Sequence, residues 1–126
     1  MNRAPIAFFT YKRPLHTLKS LESLANNQGA DRSELFIFSD DLDWCKHNLK
    51  FDASIHFVDV NQQQNFHLDL HLMSHCKSNV IANSSFSWWA AWLNQNRDKT
   101  IIAPKQWYAN NAMSTKDLIP GTWIQL

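Results

Sequence analysis

The chain reads as an α/β protein: a Rossmann-like three-layer α/β/α domain with a parallel sheet of approximately five strands. Three observations predict this. Five short apolar runs, Ile6–Thr10, Leu35–Phe38, Ile55–Val60, Val80–Ala82 and Thr100–Ala103, have the length and composition of strands buried on both faces. Segments of helical spacing lie between them, as parallel neighbours require. Polar turns close most of the runs, and ligands of open α/β sheets bind beyond the carboxyl ends of the strands.

Each element follows from local residues. Ile6–Thr10 gives way to Tyr11-Lys12-Arg13-Pro14, and proline both stops a strand and suits a first helical turn. Leu15, Leu18, Leu21, Leu24 and Ala25 recur at helical spacing until Asn26-Asn27-Gln28-Gly29, which ends that helix. Leu35-Phe36-Ile37-Phe38 stops at Ser39-Asp40-Asp41, and the aspartates cap a short helix over Leu42–Leu49. Ile55–Val60 is the third strand. In Phe66–Lys77, Leu68, Leu70 and Leu72 alternate like a strand, whereas Phe66, Leu70, Met73 and Lys77 follow a helix. Twelve residues is long for a strand, so a helix is expected. Val80–Ala82 is the fourth strand, Phe86–Gln95 a helix and Thr100–Ala103 the fifth strand, stopped by Pro104. The tail is expected to be irregular, with Trp107, Tyr108, Trp123 and Ile124 packing on the core.

Size and composition narrow the function. The 126 residues suit one domain, 1–126, large enough for a real core. A net charge of +1 gives no footprint for nucleic acid. No apolar run approaches the ~20 residues that span a bilayer, and Met1–Pro5 has no apolar region of a signal peptide. Cys45 and Cys76 lack metal or redox spacing, and two free buried thiols in a cytoplasmic protein are expected. With two glycines and neither a P-loop nor a Gly-rich dinucleotide turn, triphosphate hydrolysis and nicotinamide chemistry are poor readings.

The densest signal is Asn83-Ser84-Ser85-Phe86-Ser87-Trp88-Trp89-Ala90-Ala91-Trp92-Leu93. A strand, a short polar turn and a helix make an anion-binding arrangement, because first-turn N–H groups and the helix dipole face the ligand. Serine and asparagine also cap helices for structural reasons alone. The same sheet edge collects Tyr11-Lys12-Arg13, Ser39-Asp40-Asp41 and Asp59–Asn61. Basic residues, carboxylates and an anion-binding turn together suit a sugar nucleotide.

Each candidate has a plainer reading. Lys12 and Arg13 clamp a diphosphate or form a solvated loop. Asp40 and Asp41 contact ligand or cap a helix; their strand-end position favours the ligand. Asp41-Leu42-Asp43 has the spacing of a metal-diphosphate motif, but a three-letter pattern is weak. His67, His71 and His75 would line one helix face and could hold zinc; a polar face is simpler, because no carboxylate or cysteine clearly completes a site. Asp69 falls on a different face of that helix. Trp88, Trp89 and Trp92 could stack on a sugar or base, but their helical spacing favours core packing.

From Phe38 onward the chain resembles the C-terminal, nucleotide-binding part of the bacterial alpha-1,2-fucosyltransferases, glycosyltransferase family 11. The residues that carry the likeness are 38–46 (Phe38-Ser39-Asp40-Asp41-Leu42-Asp43-Trp44-Cys45-Lys46) and 69–77 (Asp69-Leu70-His71-Leu72-Met73-Ser74-His75-Cys76-Lys77), followed by the tryptophan-rich run, Ile102-Ala103-Pro104-Lys105-Gln106-Trp107 and Ile119-Pro120-Gly121-Thr122-Trp123-Ile124. The resemblance implies the donor half of a GT-B-like enzyme that transfers fucose from GDP-fucose with inversion and without a metal. It also implies that Asp40, Asp41, Asp69, Ser84, Ser85, Phe86 and Ser87 lie near the nucleotide. Partners would be a nucleotide sugar and a glycan acceptor, in the bacterial cytoplasm or peripheral to the inner membrane.

Residues 4–39 instead resemble the first β-α-β unit of family 2-type glycosyltransferases, through 4–18 and Glu34-Leu35-Phe36-Ile37-Phe38-Ser39-Asp40. The two likenesses meet at Phe36-Ile37-Phe38-Ser39-Asp40, and the chain reads as a fusion there. Where the fucosyltransferases carry His-x-Arg-Arg-x-Asp, this chain has Thr10-Tyr11-Lys12-Arg13-Pro14-Leu15. Lysine lacks the bidentate fork of arginine, the acceptor-side half has no counterpart here, and no residue stands out as a base. Nucleotide-sugar binding with impaired or no transfer is the expectation. The rivals are a metal-dependent GT-A-like transferase of a UDP-sugar and a non-catalytic binding module.

Overall fold

The computed structural model describes residues 4–10, 33–50, 54–61, 63–110 and 113–126. The helix expected over Leu15–Ala25 and the Lys12-Arg13 loop fall outside the described residues. Among the described residues there are six strands: β1 (Ala4–Thr10), β2 (Ser33–Ser39), β3 (Ser54–Phe57), β4 (Ser78–Val80), β5 (Ile101–Ala103) and β6 (Ile124–Gln125). Three α-helices accompany them among those residues: α1 (Leu42–Asn48), α2 (Phe66–Ser74, entered by a 3-10 turn at Gln63–Asn65) and α3 (Ser85–Leu93). All strand pairs are parallel, and their order is β3-β2-β1-β4-β5-β6. This is the doubly wound order in which the chain leaves β1 in one direction and returns on its other side at β4.

The expected α/β class holds, and the parallel sheet of approximately five strands has six among the described residues. Ile124 and Gln125 pair with Ile102 and Ala103, and across the same edge the Lys105 main-chain N–H donates to the Leu126 carbonyl at 2.8 Å and the Leu126 N–H to the Ala103 carbonyl at 3.1 Å. Ile124 is exposed rather than packed in the core. A two-residue strand has no periodicity of its own; only its neighbour makes it a strand, which is why the sequence pattern did not show it. Phe66–Ser74 forms the helix expected, and Leu68 and Leu72 lie on its exposed side while Met73 is buried.

Alternation along the strands builds a core on each face of the sheet. Leu35 and Ile37 pack with Val80, Ile102, Cys45 and Leu49, the last two from α1 and its end. Phe36 and Phe38 turn the other way and join Ala7, Met73, Cys76 and Ala90 under α2 and α3. A third cluster joins Ile81, Ala91, Ile101 and Ala103 to Ile119 and Trp123 of the C-terminal segment. Both cysteines are buried, as expected, and neither is in a disulfide; burial pushes the Cys76 thiol up to about 11.

A buried amide network fixes where α2, β4 and α3 meet, at the end of the sheet away from the strands' carboxyl ends. Asn79 Nδ2 donates to the Met73 carbonyl at 2.8 Å. Asn94 Nδ2 donates to Asn79 Oδ1 at 2.6 Å and to the Cys76 carbonyl at 2.7 Å. The Asn96 main-chain N–H donates to Asn94 Oδ1 at 2.9 Å. Every polar end of this pair is thereby satisfied, as burial demands. No helix among the described residues is long and apolar enough to cross a membrane.

Candidate functional site

Reversal of strand order opens a crevice between the carboxyl ends of β1 and β4. The last β1–β4 pair is Phe8 with Val80, so Phe9 and Thr10 extend past the point where β4 ends. On the other side, Thr10 pairs with Ser39, which brings Asp40 and Asp41 to the same edge one strand away.

Two helices begin at this edge. Helix α2 starts after the loop that leaves β3, and α3 starts after the turn that leaves β4. They pack side by side, and the Phe66 and Phe86 rings at their first turns meet edge-on with centroids 6.0 Å apart. Two positive helix ends therefore sit together beside the crevice.

The β4–α3 turn is tightly built. The Ser84 main-chain N–H donates to the Ala82 carbonyl at 2.8 Å. The Ser84 side chain caps α3, accepting from the Ser87 main-chain N–H at 3.4 Å. Ser87 is fully buried, and its hydroxyl is placed to donate to the carbonyls of Ala82 (3.2 Å) and Ser84 (3.1 Å). Asn83 Nδ2 donates to the Trp107 carbonyl at 3.0 Å, tying the turn to the loop after β5. Ser85, the first residue of the helix, is exposed, and first-turn N–H groups have no intrahelical partner. Ser84 and Ser87 thus shape the turn, whereas Ser85 stands exposed at the first position of α3. Phe86 is half-buried between α2 and α3.

Asp69 stands in the first turn of α2, partly buried. Asn61 Nδ2 donates to its Oδ1 at 2.7 Å. Burial raises the Asp69 carboxyl above its ordinary 3.8, and the Asn61 bond opposes that rise. Asn61 belongs to the β3–α2 loop and orients the carboxylate across it. Sequence reasoning placed Asn61 at the sheet edge but gave it no role; its position just past a strand end was the available signal.

Asp40 and Asp41 are exposed. Asp41 caps α1, its Oδ1 accepting from the Trp44 main-chain N–H at 3.0 Å, and its own N–H donates to Ser39 Oγ at 3.0 Å. No hydrogen bond or ion pair among the described residues joins Asp40 or Asp41 to Asp69 or to the serine turn. Lys12 and Arg13 fall outside the described residues.

Among the described residues, no three His, Cys, Asp or Glu side chains group to hold a metal ion. His67, His71 and His75 are exposed on α2. The His71 and His75 rings lie 4.3 Å apart, with His75 Nδ1 2.8 Å from the His71 carbonyl oxygen. The tryptophans divide, and the expectation that all three pack in the core is corrected. Trp88 packs on the C-terminal cluster and donates from Nε1 to the Leu118 carbonyl at 2.9 Å. Trp89 and Trp92 keep 50% and 53% of their surface exposed, because small residues occupy the inner face of α3.

The model of glycosyl transferase family 11 matches residues 18–126. That match begins ahead of residue 38, where the motifs start to resemble the family, so β2 lies inside it and β1 outside. The chain is 35% identical over 108 residues to the O-antigen biosynthesis glycosyltransferase WbnK of Escherichia coli, covering 86% of this chain and 34% of that protein. It is 40% identical over 95 residues to an alpha-1,2-colitosyltransferase of Escherichia coli, covering 72% of this chain and 32% of that protein. The chain therefore spans about one third of the length of these relatives. No solved structure matches it. The family match takes in all but the first strand of the sheet and every described helix, and on that extent the chain belongs to glycosyl transferase family 11.

Proposed function

We propose that this domain binds the nucleotide diphosphate of an activated sugar, GDP-fucose above all, for alpha-1,2-fucosyl transfer to a glycan. The observation that carries the reading is the pair of helix N-termini beside the β1–β4 crevice. The first turn of α3, with Ser85 outermost, would receive the diphosphate. Asp69, held by Asn61, would accept from guanine N–H groups or ribose hydroxyls, and Asp40 and Asp41 would do so from the neighbouring strand. Lys12 and Arg13 follow β1 in sequence and would add charge to the leaving diphosphate. The named colitosyltransferase relative makes an activated colitosyl donor the second candidate.

As an enzyme the protein would invert the anomeric centre without a metal. Stabilising the leaving diphosphate would supply what this domain contributes, since none of its residues stands out as a base for the acceptor hydroxyl. Nucleotide and glycan are its proposed partners, and the bacterial cytoplasm its place.

The test is a thermal-shift titration with GDP, GDP-fucose and UDP, each with and without Mn²⁺, on the wild type and on Ser85→Ala and Asp69→Asn. A ligand at 100 times its dissociation constant stabilises by about 2.7 kcal/mol. A metal-independent shift with GDP compounds alone, reduced in both variants, is the expected result. A shift only with UDP and Mn²⁺ would transfer the protein to the GT-A-like reading. No shift in a chain that melts cooperatively would leave it without a working donor site.

A further inference from the structure

Helix α2 opens on an aromatic ring that the core does not use. Phe66 is its first residue and keeps 59% of its surface exposed. A single exposed ring is ordinary; its surroundings give this one a meaning. Phe86 meets it with planes 60° apart and centroids at 6.0 Å, and His67 with planes 79° apart and centroids at 6.3 Å. Among the described residues no ring lies flat on Phe66, so the place for a stacked ring is open.

A carboxylate stands beside that place. Phe66 and Asp69 are three residues apart on α2, which makes their side chains neighbours on the helix surface. Asn61 Nδ2 donates to Asp69 Oδ1 at 2.7 Å. An ionised carboxylate has about four acceptor positions, and this bond uses one. No second hydrogen bond reaches the Asp69 carboxylate among the described residues. Asn61 thus fixes the group through one oxygen and leaves it able to accept from a ligand.

Ring and carboxylate together suit a planar base, which proteins hold by stacking and read along its hydrogen-bonding edge. A carboxylate takes two adjacent donors through its two oxygens. Among the common bases only guanine sets two donors side by side on its pairing edge, N1–H and the 2-amino group. Adenine and cytosine set an acceptor beside the amino group, and the uracil N–H lies between two carbonyls. Those acceptors would face the carboxylate oxygens and repel them. A ribose diol also donates twice, but it has no planar face to lay on Phe66. The Phe66–Phe86 contact places the ring beside the first turn of α3, where Phe86 follows Ser85. A base on Phe66 would therefore lie next to the turn proposed for the diphosphate, with the ribose between them.

We propose that Phe66 and Asp69 form a base subsite selective for guanine. Phe66 stacks on the purine, Asp69 accepts from N1–H and the 2-amino group, and Asn61 is a positioning residue that aims the carboxylate. This rests on the nucleotide-diphosphate reading and deepens it, assigning Asp69 to the base and not to the ribose.

The test is calorimetric titration of the chain with GDP, with inosine diphosphate, which lacks the 2-amino group, and with 2′-deoxyGDP. Wild type is compared with Phe66→Ala, Phe66→Trp and Asn61→Leu, each shown by cooperative melting to be folded. Wild type should bind inosine diphosphate about tenfold more weakly than GDP, and 2′-deoxyGDP as tightly as GDP. Phe66→Ala should weaken GDP and inosine diphosphate alike, by about tenfold, because stacking is indifferent to the edge of the base. Phe66→Trp should restore both. Asn61→Leu should reduce the preference for GDP over inosine diphosphate to about threefold or less, whereas a merely structural loss would weaken both ligands and keep their ratio. Equal binding of GDP and inosine diphosphate by wild type would overturn the proposal and leave the diphosphate reading standing. A loss confined to 2′-deoxyGDP would overturn it by giving Asp69 to the ribose. An unchanged ratio in Asn61→Leu, or unchanged affinities in Phe66→Ala, would overturn the role of that residue. No binding of any of the three nucleotides would remove the diphosphate reading and this proposal with it.

Discussion

Helices α1 and α3 begin alike and finish differently. Each follows a strand and is capped by a side chain, Asp41 for α1 and Ser84 for α3. Helix α1 buries Cys45 and shows Asp43, Lys46, His47 and Asn48 to solvent, the usual division of an amphipathic helix. Helix α3 buries Ser87, Ala90 and Ala91 and turns Trp89, Trp92 and Leu93 outward. Small residues let its backbone approach the sheet closely, and close approach leaves no room for indole rings underneath. Hydrophobic size and burial are therefore inverted along α3, and the large side chains are free for another task.

The comparison breaks most visibly at the adjacent tryptophans. Trp88 fills the space above Trp123, their centroids 5.7 Å apart, and donates to Leu118. Trp88→Ala removes both the packing and the partner of a carbonyl, and should cost about 3 kcal/mol. Trp89→Ala removes the same number of atoms from a half-exposed position and should cost about 0.5 kcal/mol. Urea unfolding of the two variants checks this. Equal costs would mean that Trp89 is packed in solution and that α3 does not differ from α1 in kind.

The inner face offers the next test. Ala90 and Ala91 have no exposed surface, so Ala90→Leu must push α3 off the Phe38–Met73 cluster. The expected cost is about 2 kcal/mol, read as a lower denaturation midpoint. The matching change on α1, Asp43→Leu at an exposed position, should lie within about 0.5 kcal/mol of wild type. A tolerated Ala90→Leu would refute close approach as the reason the tryptophans face outward.

These contrasts explain what the residues alone could convey. The strands of the central sheet were legible because Leu35-Phe36-Ile37-Phe38 and Ile101-Ile102-Ala103 are apolar on both faces and bounded by polar turns. The serine turn was legible because the order strand, Asn/Ser, helix has a local cause in capping. Strand β6 was not, because pairing with β5 alone defines it. The outward tryptophans were not, because periodicity reports which residues share a face and not which face meets the sheet. Ser87 and Ser85 are two residues apart and identical in type, yet one braces the turn from inside and the other faces out; only three-dimensional placement separates them. Asn61 acquires its meaning only from folding next to Asp69.

Asp69 carries the smallest predicted change in stability, and its sign is the informative part. The folded carboxyl titrates above its ordinary 3.8 because burial disfavours the charge. The folded state then holds its proton to a higher pH than the unfolded chain does. Stability linked to this group is full below 3.8 and is lost as pH rises through the folded value. Near neutral pH the native protein therefore retains a partly desolvated carboxylate at a net cost, one that Asn61 reduces by its 2.7 Å bond. Asp69→Asn removes the charge and keeps an oxygen for Asn61. It should raise the melting temperature slightly at pH 7, with the gain disappearing as pH falls below the ordinary carboxylate value. The same variant should lose the shift produced by GDP. Greater stability together with weaker nucleotide binding is what a residue retained for its ligand would give, since a purely structural carboxylate would lose stability on neutralisation and leave nucleotide binding unchanged.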